Sequence, residues 1–273
     1  MDQISRGNLD ISIPEKGAGE ITRIARSANQ LRVQLKREKE LRQQWAQDIA
    51  HDLRTPISVL KAQFEGMHDG VLDLSLERFE RNLNEIARVE HLVSDLEELM
   101  VLEAPEKKIN RLRINTRTFL DSLRHTYSYE LEKRKIRLEC LTDVPVVFAD
   151  QGMIDRAVSN FMANALRHTP ENGTIGVFIE RRNGEVAIRV SDTGDGIPSD
   201  EIGRVFDRLF RGDHARNSPG SGLGLTIARK IAELHGGSVT IQSRLGAGTT
   251  VELLLPFSEE ENRENGGTSS GEP

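Results

Sequence analysis

The chain is poor in cysteine and in aromatic rings, has no excess of positive charge and contains no long apolar run. Cys140 is its only cysteine, which excludes an internal disulfide and a zinc site built from thiolates. A reducing cytosol is the simplest compartment for it. One Trp, two Tyr and nine Phe among 273 residues are too few for the ring platforms on which single-stranded nucleic acids stack. The 37 Lys and Arg are outnumbered by 43 Asp and Glu, leaving a net charge of −6, so there is no global basic footprint for nucleic acid. No run of about 18 apolar residues occurs, so no segment reads as a membrane span. Met1 is followed by Asp2 and Gln3 rather than by the basic and apolar parts of a secretory signal.

What is present begins with helix. The length allows one large or two medium domains with an adequate core. Ile21, Ile24, Ala28, Leu31 and Leu35 are spaced 3-4-3-4, the seam of a coiled coil. The spacing then jumps to Leu41 and continues through Trp45, Ile49, Leu53, Ile57, Leu60, Phe64 and Met67, so the seam is interrupted between 35 and 41. A turn at His68-Asp69-Gly70 precedes a second run: Leu76, Phe79, Leu83, Ile86, Val89 or Glu90, Val93, Leu96 and Met100, with Ser75 or Asp73 as its cap. Two such helices form a hairpin too thin to hold a core, which pairing into a four-helix bundle would complete. At 100° per residue, His51 lies about 200° from both Ile49 and Leu53, on the face away from the seam, with Asp48 and Thr55 within about 60° of it. This segment alone leaves solvated surface and chemistry equally open.

Beyond Ala104-Pro105 strands and helices alternate. Strands are predicted at 111–114, 136–141, 146–149, 174–181, 185–191, 238–243 and 249–255, with a hairpin turn at Arg182-Asn183-Gly184. Helices are predicted at 116–134, 151–167 with Asp150 as N-cap, and 222–234. The fold class is therefore α+β, a mixed sheet with helices on one face. The acidic, Gly- and Ser-rich stretch from 258 reads as a disordered tail.

Three clusters in this half could carry chemistry. On the helix at 151–167, Asn160, Asn164, Arg167 and the following His168 fall between about −20° and 80° of Asn160, opposite Ile154, Val158, Phe161, Met162 and Ala165. An amide oxygen suits Mg²⁺ that is held mainly by nucleotide phosphates, although a polar helix face is more often plain surface. Asp192-Thr193-Gly194-Asp195-Gly196 follows a strand: the acid could accept a bond from an adenine amino group, and Gly194 and Gly196 would let backbone approach the ring. A plain turn is the alternative; an EF-hand loop fails because its third position is Gly194 and no acid closes it. Gly220-Ser221-Gly222-Leu223-Gly224 opens a helix and could cradle phosphate, though it is neither a Rossmann nor a Walker pattern. Phe206, Phe210 and the Arg-, Asn-, Ser- and Pro-rich stretch after them suit a lid closing over a ligand, or simply core.

The order of these features resembles the H, N, F and paired G boxes of sensor histidine kinases: a His-Asp-x-x-x-Pro helix, Asn-x-x-x-Asn, Asp-x-Gly-x-Gly, two Phe and Gly-x-Gly-x-Gly. The likeness runs from about residue 40 to 257. Gly7-Asn8-Leu9-Asp10-Ile11-Ser12-Ile13-Pro14 with the seam after it resembles the second half of a HAMP signal-relay module, a simple linker being the alternative. The resemblance implies a partial HAMP segment at 1–35, a dimerisation and histidine-phosphotransfer hairpin at 36–104, an α/β-sandwich GHKL-type ATP-binding domain at 105–257, and a disordered tail at 258–273. It implies that His51 attacks the γ-phosphate of Mg-ATP with Asp52 as hydrogen-bond partner or general base. Asn164 would bind Mg²⁺ with Asn160 in support, Arg167 and His168 would contact phosphates, and Asp192 would read adenine. The glycines Gly220, Gly222 and Gly224 with Leu223 would hold the triphosphate. The phosphoryl group would pass to an aspartate of a response-regulator receiver domain, and Thr55 would orient water for its removal. Pro56 would weaken the helix below the reactive turn as a hinge.

The expected partners are a second copy through the hairpin and a response regulator, with no nucleic acid. HAMP-bearing kinases normally sit behind membrane helices, so the chain is expected to be a soluble, cytoplasmic portion of a bacterial inner-membrane receptor whose N-terminal part is missing. A gyrase-, chaperone- or mismatch-repair-type ATPase would share the nucleotide boxes but lack the His51 hairpin. A non-catalytic scaffold would have lost box residues.

Overall fold

The computed structural model describes residues 12–14, 19–104, 107–212 and 220–257; the expected disordered tail and most of the N-terminal connector lie outside them. The chain divides into two compact units, 1–85 and 86–273.

The first unit is built on one uninterrupted helix, α1 (Gly19–His68), of 50 residues. The gap in the seam between 35 and 41 does not break the backbone. Residues 12–14 are tied to α1 by a reciprocal amide pair: Ile13 N–H donates to Asn29 Oδ1 and Asn29 Nδ2 donates to Ile13 O, both at 2.9 Å. The apolar seam is not covered within a single chain, with Ile21 63 % and Ile24 60 % exposed. Pro56 sits inside α1, where its missing N–H cannot serve the carbonyl of Asp52. The helix ends as expected at the Gly70 turn: Gly70 takes φ +71° and Leu72 N–H bonds Gly66 O at 2.8 Å. Helix α2 (Leu76–Glu103) follows. Of the two cap candidates Ser75 serves, its Oγ accepting from Arg78 N–H at 3.4 Å, while Asp73 takes the Arg78 side chain at 2.8 Å. Leu76, Phe79, Leu83 and Ile86, the start of the second stripe, are also exposed.

In the second unit a five-stranded sheet has the order β2-β4-β5-β7-β6. Its strands are β2 (Arg137–Thr142), β4 (Thr174–Arg182), β5 (Glu185–Asp192), β6 (Ser238–Arg244) and β7 (Gly248–Pro256). Only the β2–β4 pair is parallel. A separate antiparallel pair joins β1 (Leu112–Asn115) to β3 (Val146–Ala149). The β4–β5 hairpin turns on Asn183 and Gly184, both at positive φ (52° and 82°), the requirement of a type I′ turn. Among the described residues, three α-helices lie wholly within the unit: α3 (Thr116–Lys133), α4 (Gln151–His168) and α5 (Gly224–Leu234). Alternation turns Ile175, Val177 and Ile179 of β4, Ile188 and Val190 of β5 and Leu253 of β7 into the core, in which Ile154, Phe161 and Met162 of α4 and Ile227 and Ile231 of α5 are also buried. Truncating one of these large side chains to Ala costs about 2–5 kcal/mol. The other sheet face carries Arg189 stacked 4.8 Å over Phe178 and paired with Glu180 at 3.1 Å.

Asp150 caps α4 as expected, its Oδ1 accepting from Met153 N–H at 3.2 Å, and it is held in turn by His235 at the end of α5. His235 Nε2 accepts from Asp150 N–H at 3.0 Å, and Nδ1 lies 2.7 Å from Ile231 O. A carbonyl only accepts, so Nδ1 carries the proton and the ring is neutral. Burial pushes the His235 pKa down from the usual 6.5, opposed by the bond to Ile231 O. The folded state therefore binds fewer protons than the unfolded one. That stabilisation is complete above the unfolded value and is lost as the pH falls below it. His168, also pushed down by burial, adds in the same direction. Urea unfolding should show stability falling from pH 7.5 to 5.5, with a shallower slope in His235→Leu; an unchanged slope would contradict the neutral-ring assignment.

Candidate functional site

Helix α4 presents the expected polar face. Asn160 and Asn164 are half-buried and Arg167 is exposed, whereas Ile154, Val158, Phe161, Met162 and Ala165 are at most 2 % exposed. That face meets the glycine loop. Asn160 Nδ2 donates to Gly224 O at 3.1 Å; Asn160 thus ties α4 to the first turn of α5. A Cβ on Gly220 would sit 2.8 Å from Arg167 Nη1, and one on Gly222 would lie 2.9 Å from the Leu209 carbonyl carbon. The fixed backbone beside Gly222 leaves no room for a Cβ, so the loop can lie this close only with glycine at that position. Asn164 Oδ1 and Arg167 Nη1 are 3.5 Å apart, so both reach the same space beside the loop.

One boundary needs correction. The helix expected from Gly222 starts at Gly224, because Gly220 and Gly222 take φ +148° and +71°, which a right-handed helix does not admit. Leu223 occupies the N-cap without any side-chain cap bond, leaving the first-turn N–H groups without a side-chain acceptor there. Its own side chain is fully buried, so only its backbone can face a ligand.

Asp192 ends β5. Its Oδ1 accepts from Gly194 N–H at 2.8 Å and from Thr249 N–H at 3.2 Å, so the carboxylate is oriented by backbone from its own loop and from β7. Burial raises its pKa while these two bonds oppose the rise. Gly194 is pressed against the end of α4: a Cβ there would lie 2.5 Å from His168 O. Gly196, at φ +71°, packs on the Arg244 carbonyl. His168 is held neutral near pH 7 by burial first and the Arg167 charge second, against Asp195 and Asp192.

Phe206 and Phe210 follow a single 3₁₀ turn at Ile202–Arg204 that the sequence pattern did not reveal. Phe206 O accepts from Thr226 Oγ1 at 3.1 Å, and Arg204 lies 4.6 Å over the Phe210 ring. Leu209 between them is at φ +58°, a conformation costly for a branched residue. The stretch expected as a lid, 213–219, lies outside the described residues.

In the first unit His51, Asp48 and Thr55 are exposed together on α1 and Asp52 is half-buried. Thr55 Oγ1 donates to His51 O at 3.2 Å, a back-bond along the helix. Residues missed by sequence reasoning include Thr249, whose role depends on strand register, and Arg134. The Arg134 guanidinium satisfies two carbonyls at the end of α4, Leu166 O and, at 2.6 Å, Thr169 O. Among the described residues no three His, Cys, Asp or Glu side chains gather as a metal site, and no helix is long and apolar enough to cross a membrane.

This glycine loop, Asn-bearing helix and strand-end acid lie in a region matched by the family model "Histidine kinase-, DNA gyrase B-, and HSP90-like ATPase", over residues 149–259. Two further models match ahead of it, the HAMP domain over 1–37 and the His Kinase A (phospho-acceptor) domain over 41–105. The chain belongs to the sensor histidine kinases of two-component systems. It is 26 % identical to the signal transduction histidine-protein kinase BaeS of Escherichia coli, across 96 % of this chain and 57 % of that protein. It is 29 % identical to the sensor histidine kinase WalK of Bacillus subtilis, across 95 % of this chain and 44 % of that protein. The chain thus spans about half the length of these curated relatives. The histidine kinase ThkA, solved in complex with the response regulator protein TrrA, aligns with a TM-score of 0.68 over 83 % of this chain and 65 % of that one. At 23 % identity it is a likeness of fold.

Proposed function

We propose that this chain is an ATP-dependent protein-histidine kinase that phosphorylates His51 and passes the phosphoryl group to an aspartate of a response-regulator receiver domain, and that it also dephosphorylates that regulator. The observation that carries the proposal is the convergence of Asn160, Asn164 and Arg167 on the glycine-rich loop at 220–224 in the second unit, combined with an exposed His51 on α1.

The donor set fits a magnesium nucleotide. Gly220, Gly222 and Gly224 with the backbone of Leu223 receive the triphosphate, and Arg167 contributes charge. His168, neutral, contributes a hydrogen bond. Asn164 would supply a hard neutral oxygen to Mg²⁺, an ion held chiefly through nucleotide phosphates, with Asn160 holding the loop beside it. The ion would neutralise phosphate charge. Asp192 accepts from the adenine amino group, with Gly194 and Gly196 allowing close approach and Phe206 and Phe210 on the lid side. The His51 imidazole attacks the γ-phosphorus in line; a P–N bond forms, the bond to the bridging oxygen breaks, and ADP leaves with the electron pair. Asp52 orients the ring and takes its proton. In the reverse duty Thr55 turns its hydroxyl from His51 O to a water attacking the regulator's aspartyl phosphate.

The domain limits proposed are 1–35, 36–104, 105–257 and 258–273. The uncovered stripes of α1 and α2 support a homodimer joined through the hairpin, and the ThkA complex supports a receiver domain as partner. Residence at the cytoplasmic side of a bacterial inner membrane, behind helices of a longer receptor, fits the HAMP match. Pro56→Ala restores a helical bond under the reactive turn and should shift the balance of kinase to phosphatase activity; equal balance in both proteins contradicts the hinge. The function itself is tested with Mg²⁺ and ATP labelled in the γ or the α position. Label should enter only from the γ position, be lost in acid, survive base and move to a receiver domain. No γ-label, or acid-stable label, overturns the proposal.

A further inference from the structure

The second half of α2 belongs to the same unit as the nucleotide loop and is anchored there by Leu99 and Leu102, 0 % and 4 % exposed. Its acidic side meets the elements that build the site. Asp95 Oδ2 accepts from Ser221 Oγ, in the middle of the glycine loop, while Oδ1 accepts from Arg156 Nη2 of α4. Glu98 takes Arg156 Nε at 2.6 Å. Glu103 pairs with Arg208, between the two Phe. Ser221 Oγ in turn accepts from Leu223 N–H at 3.2 Å. The Ser221 proton is therefore spent on a carboxylate and its lone pair on the backbone donor at the mouth of α5. On the α2 side of the loop two carboxylates share one guanidinium, so that side carries an excess negative charge beside a loop suited to a polyanion, opposite Arg167.

We propose that Asp95 is a positioning residue that acts through Ser221, holding the glycine loop against α2 so that attachment of the loop and binding of a nucleoside triphosphate compete. The inference rests on the nucleotide reading of that loop. Coupling is reciprocal: nucleotide loosens the hold of α2 on the loop, and any change that draws α2 away raises nucleotide affinity. This gives α2, which continues from the hairpin, a direct handle on the nucleotide site.

The test measures the dissociation constant of Mg-ATP on the whole chain by calorimetry. Asp95→Ala leaves Arg156 paired with Glu98 and should bind about fivefold tighter, the lower end of typical allosteric couplings. A merely structural role for Asp95 would weaken binding instead. In a Ser221→Ala background the same change should have little further effect. Wild-type binding with no gain, or a loss, in Asp95→Ala overturns this inference alone. An equal gain in both backgrounds also overturns it, since Asp95 would then act without Ser221. No binding by the wild-type chain overturns the nucleotide reading and this inference together.

Discussion

The chain carrying His51→Gln is expected to bind Mg-ATP within about twofold of wild type yet to take up less than about 1 % of its γ-label, since a nucleophile is lost while the binding site is untouched. Glutamine keeps the length and polarity of histidine, but its amide nitrogen has no lone pair free to attack phosphorus. His51 is exposed on α1, so the exchange opens no cavity, and the Thr55 hydroxyl bonds the residue-51 carbonyl, not its ring. Every group assigned to the nucleotide lies in the other unit. Labelling and calorimetry on the same preparation make the separation visible. Equal label in the variant would mean that another side chain is the acceptor.

Asp192→Asn should weaken ATP binding by about 100-fold, some 3 kcal/mol, the scale of a hydrogen bond to a charged group exchanged for a donor facing a donor. The change is isosteric. The asparagine Oδ1 can still accept from Gly194 and Thr249 N–H, which today orient the carboxylate, so the loop should keep its shape. Burial already disfavours the charged form of Asp192, and removing the charge should therefore leave the thermal midpoint unchanged or slightly raised. A loss of affinity with an intact midpoint assigns Asp192 to the base. Undiminished affinity would remove it from the site.

Local chemistry made much of this fold legible. Asp150 as a cap marks the start of α4, Asn183-Gly184 marks the hairpin, and helical periodicity alone places Asn160, Asn164 and Arg167 on one face. Helix α5 was misplaced by two residues because glycines that permit helix also permit the positive φ that Gly220 and Gly222 adopt. The strand order β2-β4-β5-β7-β6 was not legible, since it depends on which apolar faces meet across long stretches of chain. For the same reason the bond from Thr249 to Asp192, the Arg134 clamp on α4 and the hold of Asp95 on Ser221 left no local signal. Each joins residues at least 32 positions apart. The stripes of α1 and α2 are legible as seams that a thin hairpin cannot cover alone. Within one chain much of their length is exposed, because a thin helical hairpin has only one neighbour to pack against.

Whether His51 receives the γ-phosphoryl group is tested most directly by locating that group. The whole chain is incubated with Mg-ATP, digested at alkaline pH to preserve a P–N bond, and mapped by mass spectrometry. The phosphoryl group should be found on His51 and on no other residue. A phosphoryl group on a serine, threonine or different histidine, or an unmodified His51 while ATP is consumed, would contradict it.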